Sequence, residues 1–302
     1  MKFKILCIAI LLINSSLFAQ KKIVKKWLKL EKEFLHYFYD IQDYPKAETS
    51  LDEIWELTIQ KIPKEDSLFA AAVATKAVWS YELDAYDKSI LFMMEWLPWL
   101  REKVDAGEKL TKRHYNWFLF SGNAYVMLGE NYMFNKNISN QLQFIPKDEQ
   151  DRLNKALAYF DTAIGLYNEL DKVRPDHPDI SNNLSVAYRN KGRLLGQYMR
   201  DLESSIMALK QSNNYRANVE TYRLLGVATG MSGKPLEAIS YFEEALLLEG
   251  NNIAILYNLE VAYRQLALST ENESLKADYE SKGDSYHMQW KLIEPDYDPS
   301  AN

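Results

Sequence analysis

The residue types that could carry chemistry are few and poorly spaced for it. Four histidines, His36, His114, His177 and His287, are spread over 302 residues. None stands beside another histidine or a carboxylate at a motif spacing such as His-Glu-x-x-His, which would bring two imidazoles to one metal. The single cysteine, Cys7, lies in an apolar run at the start of the chain. With that run removed, no residue remains for a disulfide, a thiolate nucleophile or Cys-ligated zinc. The acidic neighbours Asp52-Glu53 and Glu243-Glu244 are adjacent in sequence, so on a helix they diverge and cannot face each other across a glycosidic bond. Gly226-x-x-x-Gly230-x-x-Gly233 has neither the spacing nor the preceding strand of a dinucleotide loop. There is no Gly-x-Ser-x-Gly elbow. The aromatics Trp96, Trp99, Trp117 and Phe118 could form a sugar platform, but their helical spacing favours core packing. The expectation is a non-catalytic protein with no metal and no cofactor.

The elements that must position any site are helical. Only 11 glycines and 9 prolines punctuate the chain, too few for the many turns of a β-rich fold. With 47% hydrophobic and 26% charged residues, wholesale disorder is excluded. Leu153, Ala156, Leu157, Phe160, Ala163, Ile164, Tyr167 and Leu170 form one apolar stripe at helical period, and no comparable period-two segment exists. This patterning predicts helices over 22–42, 46–61, 66–83, 86–104, 110–130, 149–171, 179–196, 201–211, 217–231, 235–249, 252–268 and 275–293. Asp66 is placed as an N-cap. Pro235 falls in a first helical turn, and Pro98 should kink or shorten its helix.

The chain starts with Lys2 and Lys4, then nine apolar residues from Ile5 to Ile13, then Asn14-Ser-Ser-Leu-Phe-Ala19-Gln20. That is a charged, apolar and small-residue sequence of export type, with cleavage expected after Ala19. The apolar run is too short to span a bilayer. The expectation is an exported protein, periplasmic or secreted, resembling bacterial export products of the Bacteroidetes type, with no membrane span after cleavage. Net charge is −6 and no long basic run compensates. Nucleic acid is therefore not an expected partner, because that affinity comes mostly from Lys and Arg on phosphates.

Residues 219–252 carry Tyr222, Leu225-Gly226, Gly233, Ala238, Phe242 and Ala245. Small residues at Gly226 and Ala238 let two antiparallel helices approach, and Phe242 and Tyr222 fill the space beside them. Leu256, Leu259 and Tyr263 follow one 34-residue period later. Leu184-Ser185, Tyr188 and Gly192 precede, and further upstream lies Gly122-Asn-Ala-Tyr125-Val-Met-Leu-Gly129. Ala156, Phe160 and Ala163 supply a second helix. Ala47, Leu51 and Ile54, then Ser89, Met93 and Trp96, are weaker echoes. Gly283, His287, Trp290 and Pro295 form a degenerate last copy. This series resembles the tetratricopeptide repeat (TPR) family. Thr229 stands in place of a tyrosine and Gly250 in place of a terminal proline. The resemblance implies an all-α, TPR-like right-handed α-solenoid of about five to six antiparallel helix pairs. Residues 20–114 would be degenerate hairpins and 115–295 the main array, with 296–302 a tail.

Members of the family bind peptides on the concave face of their first helices. Carried over by position, that face would hold Leu119, Asn123, Asn182, Asn183, Arg189, Arg223, Val227, Tyr257, Asn258 and Arg264. Asn can pair with an extended backbone and Arg with carboxylates. The carboxylate clamp of chaperone-binding members is not expected, because Leu119 and Asp179 stand where lysines are needed. The implied function is a non-catalytic scaffold holding a segment of another protein. The alternative is a glycan- or small-ligand-binding protein that uses an insertion at 130–151. That insertion would expose Tyr132, Met133, Phe134, Phe144 and Ile145 in a long loop. The second helix over 199–209 matches the pattern poorly.

Overall fold

In the computed structural model, residues 18–64, 66–95, 97–108, 110, 112–136, 145–175 and 177–296 are described. Residues 1–17 of the expected signal segment 1–19, Trp96, the Trp99 side chain and Phe144 lie outside them. The regular structure of the described residues is all helical, with no strand among them. The helices are α1 (Phe18–Leu35), running on as a π-helical segment (His36–Ile41), α2 (Tyr44–Lys61), α3 (Ser67–Glu82), α4 (Tyr86–Met94), α5 (Leu97–Asp105) and α6 (Lys112–Met133). They continue as α7 (Glu149–Val173), α8 (Pro178–Arg193) with a second π segment (Leu194–Tyr198), α9 (Leu202–Tyr215), α10 (Val219–Met231), α11 (Pro235–Leu248), α12 (Ile253–Ser269) and α13 (Glu273–Ile293). The fold is all-α and TPR-like, a succession of antiparallel helical hairpins. One compact unit ends at Ala124, within α6, and the second begins at Tyr125.

In the first unit α1 pairs with α2 and α3 with α4. Trp27 is fully buried and its indole donates to Thr58 Oγ1 at 3.0 Å. Phe34, Phe38 and Trp79 pack ring on ring, with Phe38 and Trp79 centroids 5.1 Å apart. Ala47, Leu51, Ile54 and Ser89 have no exposed surface, and the Ser89 hydroxyl donates to Ala77 O at 2.8 Å. Trp117 and Phe118 are core residues at 2% and 1% exposure, which leaves no sugar platform there. Asp66 caps α3 by accepting from Leu68 N. Pro98 splits the segment expected as one helix: α4 stops at Met94, and the proline sits in the first turn of α5, where its missing N–H costs nothing.

In the second unit each helix packs on the next, from α7 to α13. Asp148, Asp201, Asn218, Asn252 and Asn272 cap the starts of α7, α9, α10, α12 and α13 through side-chain oxygens. The hairpins share one close contact. A β-carbon on Gly226 would overlap the Phe242 ring, one on Gly129 would fall 2.7 Å from the Phe160 ring, and one on Gly192 2.5 Å from Leu209. Glycine is required there because the facing side chain lies against its α-carbon.

This contact fixes the register. Phe242 follows Gly226 by 16 residues and Leu209 follows Gly192 by 17. The extra residue is taken up by the π segment Leu194–Tyr198, the usual accommodation of a one-residue insertion in a helix. Allowing for it, Ser205, Leu209 and Ser212 occupy the places of Ala238, Phe242 and Ala245. The two serines are buried and bonded, Ser205 Oγ to Gly192 O and Ser212 Oγ to Ser185 O, each at 2.8 Å. The same contact equates Gly129 with Gly226, so the insertion after α6 is 15 residues long rather than the 22 expected. Most of it lies in the connection between Met133 and Glu149, and the rest lengthens the start of α7.

Gly165 differs from these glycines. It sits exposed within α7 with nothing within 4 Å of a β-carbon. Gly165→Ala is expected to raise stability by up to about 1 kcal/mol in urea unfolding, the helix-propensity difference alone. A loss of stability would show a packing role that the structure does not.

Candidate functional site

The first helices α8, α10 and α12 each bury one side against their neighbours. Leu184 and Ser185, Leu224 and Leu225, and Leu256 and Leu259 are on it. One step around each helix, Asn182, Asn183, Arg189, Arg223, Tyr257 and Asn258 are half-buried and Arg264 is exposed. These are the side chains expected on the binding face. Asn123 is half-buried within α6 in the first unit.

The charges on this face are arranged as a ladder. Glu130 of α6 accepts from Asn190 Nδ2 of α8 at 2.6 Å. Arg193 of α8 is ion-paired with Glu220 of α10, which also takes Arg223 Nε at 2.8 Å and Nη2 at 2.9 Å. On α12, Arg264 Nε donates to Glu260 at 2.8 Å and Nη2 reaches Asp284 of α13 at 3.1 Å. Arg216 Nη1 donates to Asn182 Oδ1 at 2.7 Å. Burial alone would raise the Glu220 carboxyl, but Arg223 and then Arg193 hold it below the ordinary glutamate range. The carboxylates that Arg223 and Arg264 were expected to take from a partner are thus supplied by the chain itself. Arg189 is less engaged, with a 3.4 Å bond to Asn218 Oδ1. Burial, then the Arg193 cation beside it, lowers its guanidinium below the usual range. The Asn258 side chain has no hydrogen-bond partner among the described residues. Tyr257 lies edge-on to Trp290, centroids 6.1 Å apart.

The rival loop is corrected in part. Tyr132 and Met133 belong to the last turn of α6 and are each 1% exposed, because the helix runs on past the point where the expected loop began. Tyr132 packs edge-on against Tyr159 at 5.1 Å. Arg152, buried in α7, donates to the carbonyls of Tyr132 and Met133 and so closes the end of α6. Ile145 is buried as well, and Phe134 is 37% exposed.

One feature lay outside the sequence reading. In the first unit α1, α3, α4 and α6 enclose a cleft of about 630 Å³, open to solvent at its mouth. Phe34, Ala74, Val78, Met93, Trp117 and Phe120 line it, with the buried Glu31 in its wall. The signal was in α3, whose first two turns from Leu68 to Ala74 are apolar on all sides, as in a helix covered on more than one face. Among the described residues no group of histidines, cysteines or carboxylates is arranged to hold a metal.

No protein-family model and no curated protein matches this chain. Among solved structures it is similar to the MamA protein, at 13% identity over 75% of this chain and 92% of that one, with a TM-score of 0.44. It is similar to a thermophilic TPR protein of Thermus thermophilus, at 14% identity over 81% and 98% of the two chains, TM-score 0.35. A TPR protein of Parabacteroides merdae aligns at 13% identity over 79% and 99%, TM-score 0.25. The fold assignment rests on the helix packing described above.

Proposed function

We propose that this protein is an exported, non-catalytic adaptor that holds a segment of another protein against the first-helix face of α8, α10 and α12. The observation that carries the reading is the row of half-buried polar side chains on that face, above all Arg189 and Asn258, whose hydrogen-bonding capacity the chain leaves largely unused. A partner meets a surface that is already charge-paired, so recognition draws on amide and guanidinium hydrogen bonds more than on net attraction. The export reading is supported by the charged-then-apolar start and the small residue at the expected cleavage point. No described helix is long and apolar enough to cross a membrane.

The test is crosslinked capture from the native host with wild-type protein and with Arg189→Glu/Asn258→Arg. Neither residue belongs to the ion-pair ladder, so the variant should melt within a few degrees of wild type. One specific partner held by the wild type and lost by the variant is expected. Equal capture by a folded variant would remove this face as the binding site.

A further inference from the structure

We infer that the second unit carries a site for an aliphatic carboxylate that borders the first-helix face at Arg193 and Val227, in the cleft where the π segment Leu194–Tyr198 meets α9 and α10. The inference does not depend on the adaptor reading. The one-residue insertion displaces the end of α8 relative to the regular hairpin, and a cleft of about 640 Å³ opens there. Its floor is apolar, made by Leu202, Leu209, Leu224, Val227, Ala228 and Met231. Its polar side is made by Arg193, Gln197, Arg200 and Ser205.

Most of that polar side is already engaged. Arg193 is paired with Glu220, and the Ser205 hydroxyl donates to Gly192 O at 2.8 Å. Arg200 is different: it is exposed, and among the described residues no carboxylate pairs with it. It also holds φ +60°, a conformation that favours glycine, yet an arginine occupies it at the edge of the cleft. The cleft lining contains no carboxylate. An extended peptide lying in the cleft would leave its N–H groups facing aliphatic side chains, at the cost of unpaired polar groups. An ammonium would find no counter-charge. An aliphatic chain ending in a carboxylate meets both requirements, since its body covers the Leu and Val floor and its head takes the fork of Arg200.

Arg200→Gly makes a clean test, because glycine suits φ +60° and the variant should fold at least as well as wild type. Octanoate, below its micelle-forming concentration, would be titrated into the full chain by calorimetry, with octylamine as the opposite-charge probe. Saturable octanoate binding, at least tenfold weaker in Arg200→Gly, nearly retained in Arg200→Lys and absent for octylamine, is expected. The site does not exist if octanoate fails to bind wild type, if Arg200→Gly binds it equally well, or if octylamine binds alike. Should Arg200→Gly melt well below wild type, Val227→Asp reads the apolar floor instead, and unchanged octanoate binding there overturns the proposal.

Discussion

Gly226→Ala is expected to destabilise the protein by about 2–3 kcal/mol, although alanine is the better helix former by about 1 kcal/mol. The added methyl would overlap the Phe242 ring, with the ring Cδ1 and Cζ each 2.6 Å away. The ring has nowhere to go. Phe242 is 3% exposed and belongs to a cluster with Ala238, Ile239, Leu259 and Ala262. Relief requires α10 and α11 to separate, which loosens the packing of the whole hairpin. Urea unfolding followed by circular dichroism gives the value. A double-mutant cycle isolates the cause. Phe242→Ala alone should cost about 3–5 kcal/mol through its cavity. In that background Gly226→Ala should cost nothing or gain slightly, because the overlap is gone. If Gly226→Ala is as stable as wild type, the glycine contact does not set the hairpin spacing.

That contact also explains how much could be read without coordinates. The α10–α11 hairpin was legible because Gly226 meets Phe242 and, one turn on, Gly230 meets Ala238. The α8–α9 hairpin was not, because one residue absorbed by a π segment shifts every second-helix position, and Ser205, Leu209 and Ser212 then look out of register. The last hairpin was obscured differently. Glu260 stands one 34-residue period after Gly226, so a carboxylate fills the glycine place, met by His287 and Trp290 where Phe242 would be.

The candidate face was legible as a direction and not as a set of bonds. Periodicity places Arg223 and Arg264 away from the second helices, but Arg264 lies against α13, beside Gly283 and bonded to Asp284. Periodicity does not say which side chains of the next helix stand opposite. Glu220 and Glu260 lie within one turn of these arginines on their own helices, so local geometry satisfies them before any partner arrives. The apolar cleft of the first unit went unread for a similar reason. An apolar face announces that something covers it, but a pattern cannot distinguish complete cover from a gap.

Glu260 leads to the second large effect, a loss of stability in acid that begins at α13. Its carboxylate is 7% exposed, accepts from Trp290 Nε1 at 2.7 Å and Arg264 Nε at 2.8 Å, and lies 3.1 Å from His287 Nδ1. Burial by itself would raise the pKa. The bonds from Arg264, Trp290 and His287 outweigh it and hold the folded-state value below the ordinary one. Glu220 behaves alike. The unfolded chain therefore takes up these protons first as pH falls. The stability the two carboxylates contribute is complete above the ordinary glutamate pKa of about 4.3 and is lost as pH drops through the folded-state values beneath it. Glu260→Gln should lower stability at neutral pH by about 1–2 kcal/mol, since an amide cannot accept from all three donors as a carboxylate does. It should also reduce the acid sensitivity. Hydrogen exchange locates the effect: α13 amides should lose protection first, in acid for wild type and already at neutral pH for the variant, while α10 and α11 stay protected. Uniform loss across α10 to α13 would mean that Glu260 supports the unit as a whole, and unchanged exchange would mean that its three bonds hold nothing in place.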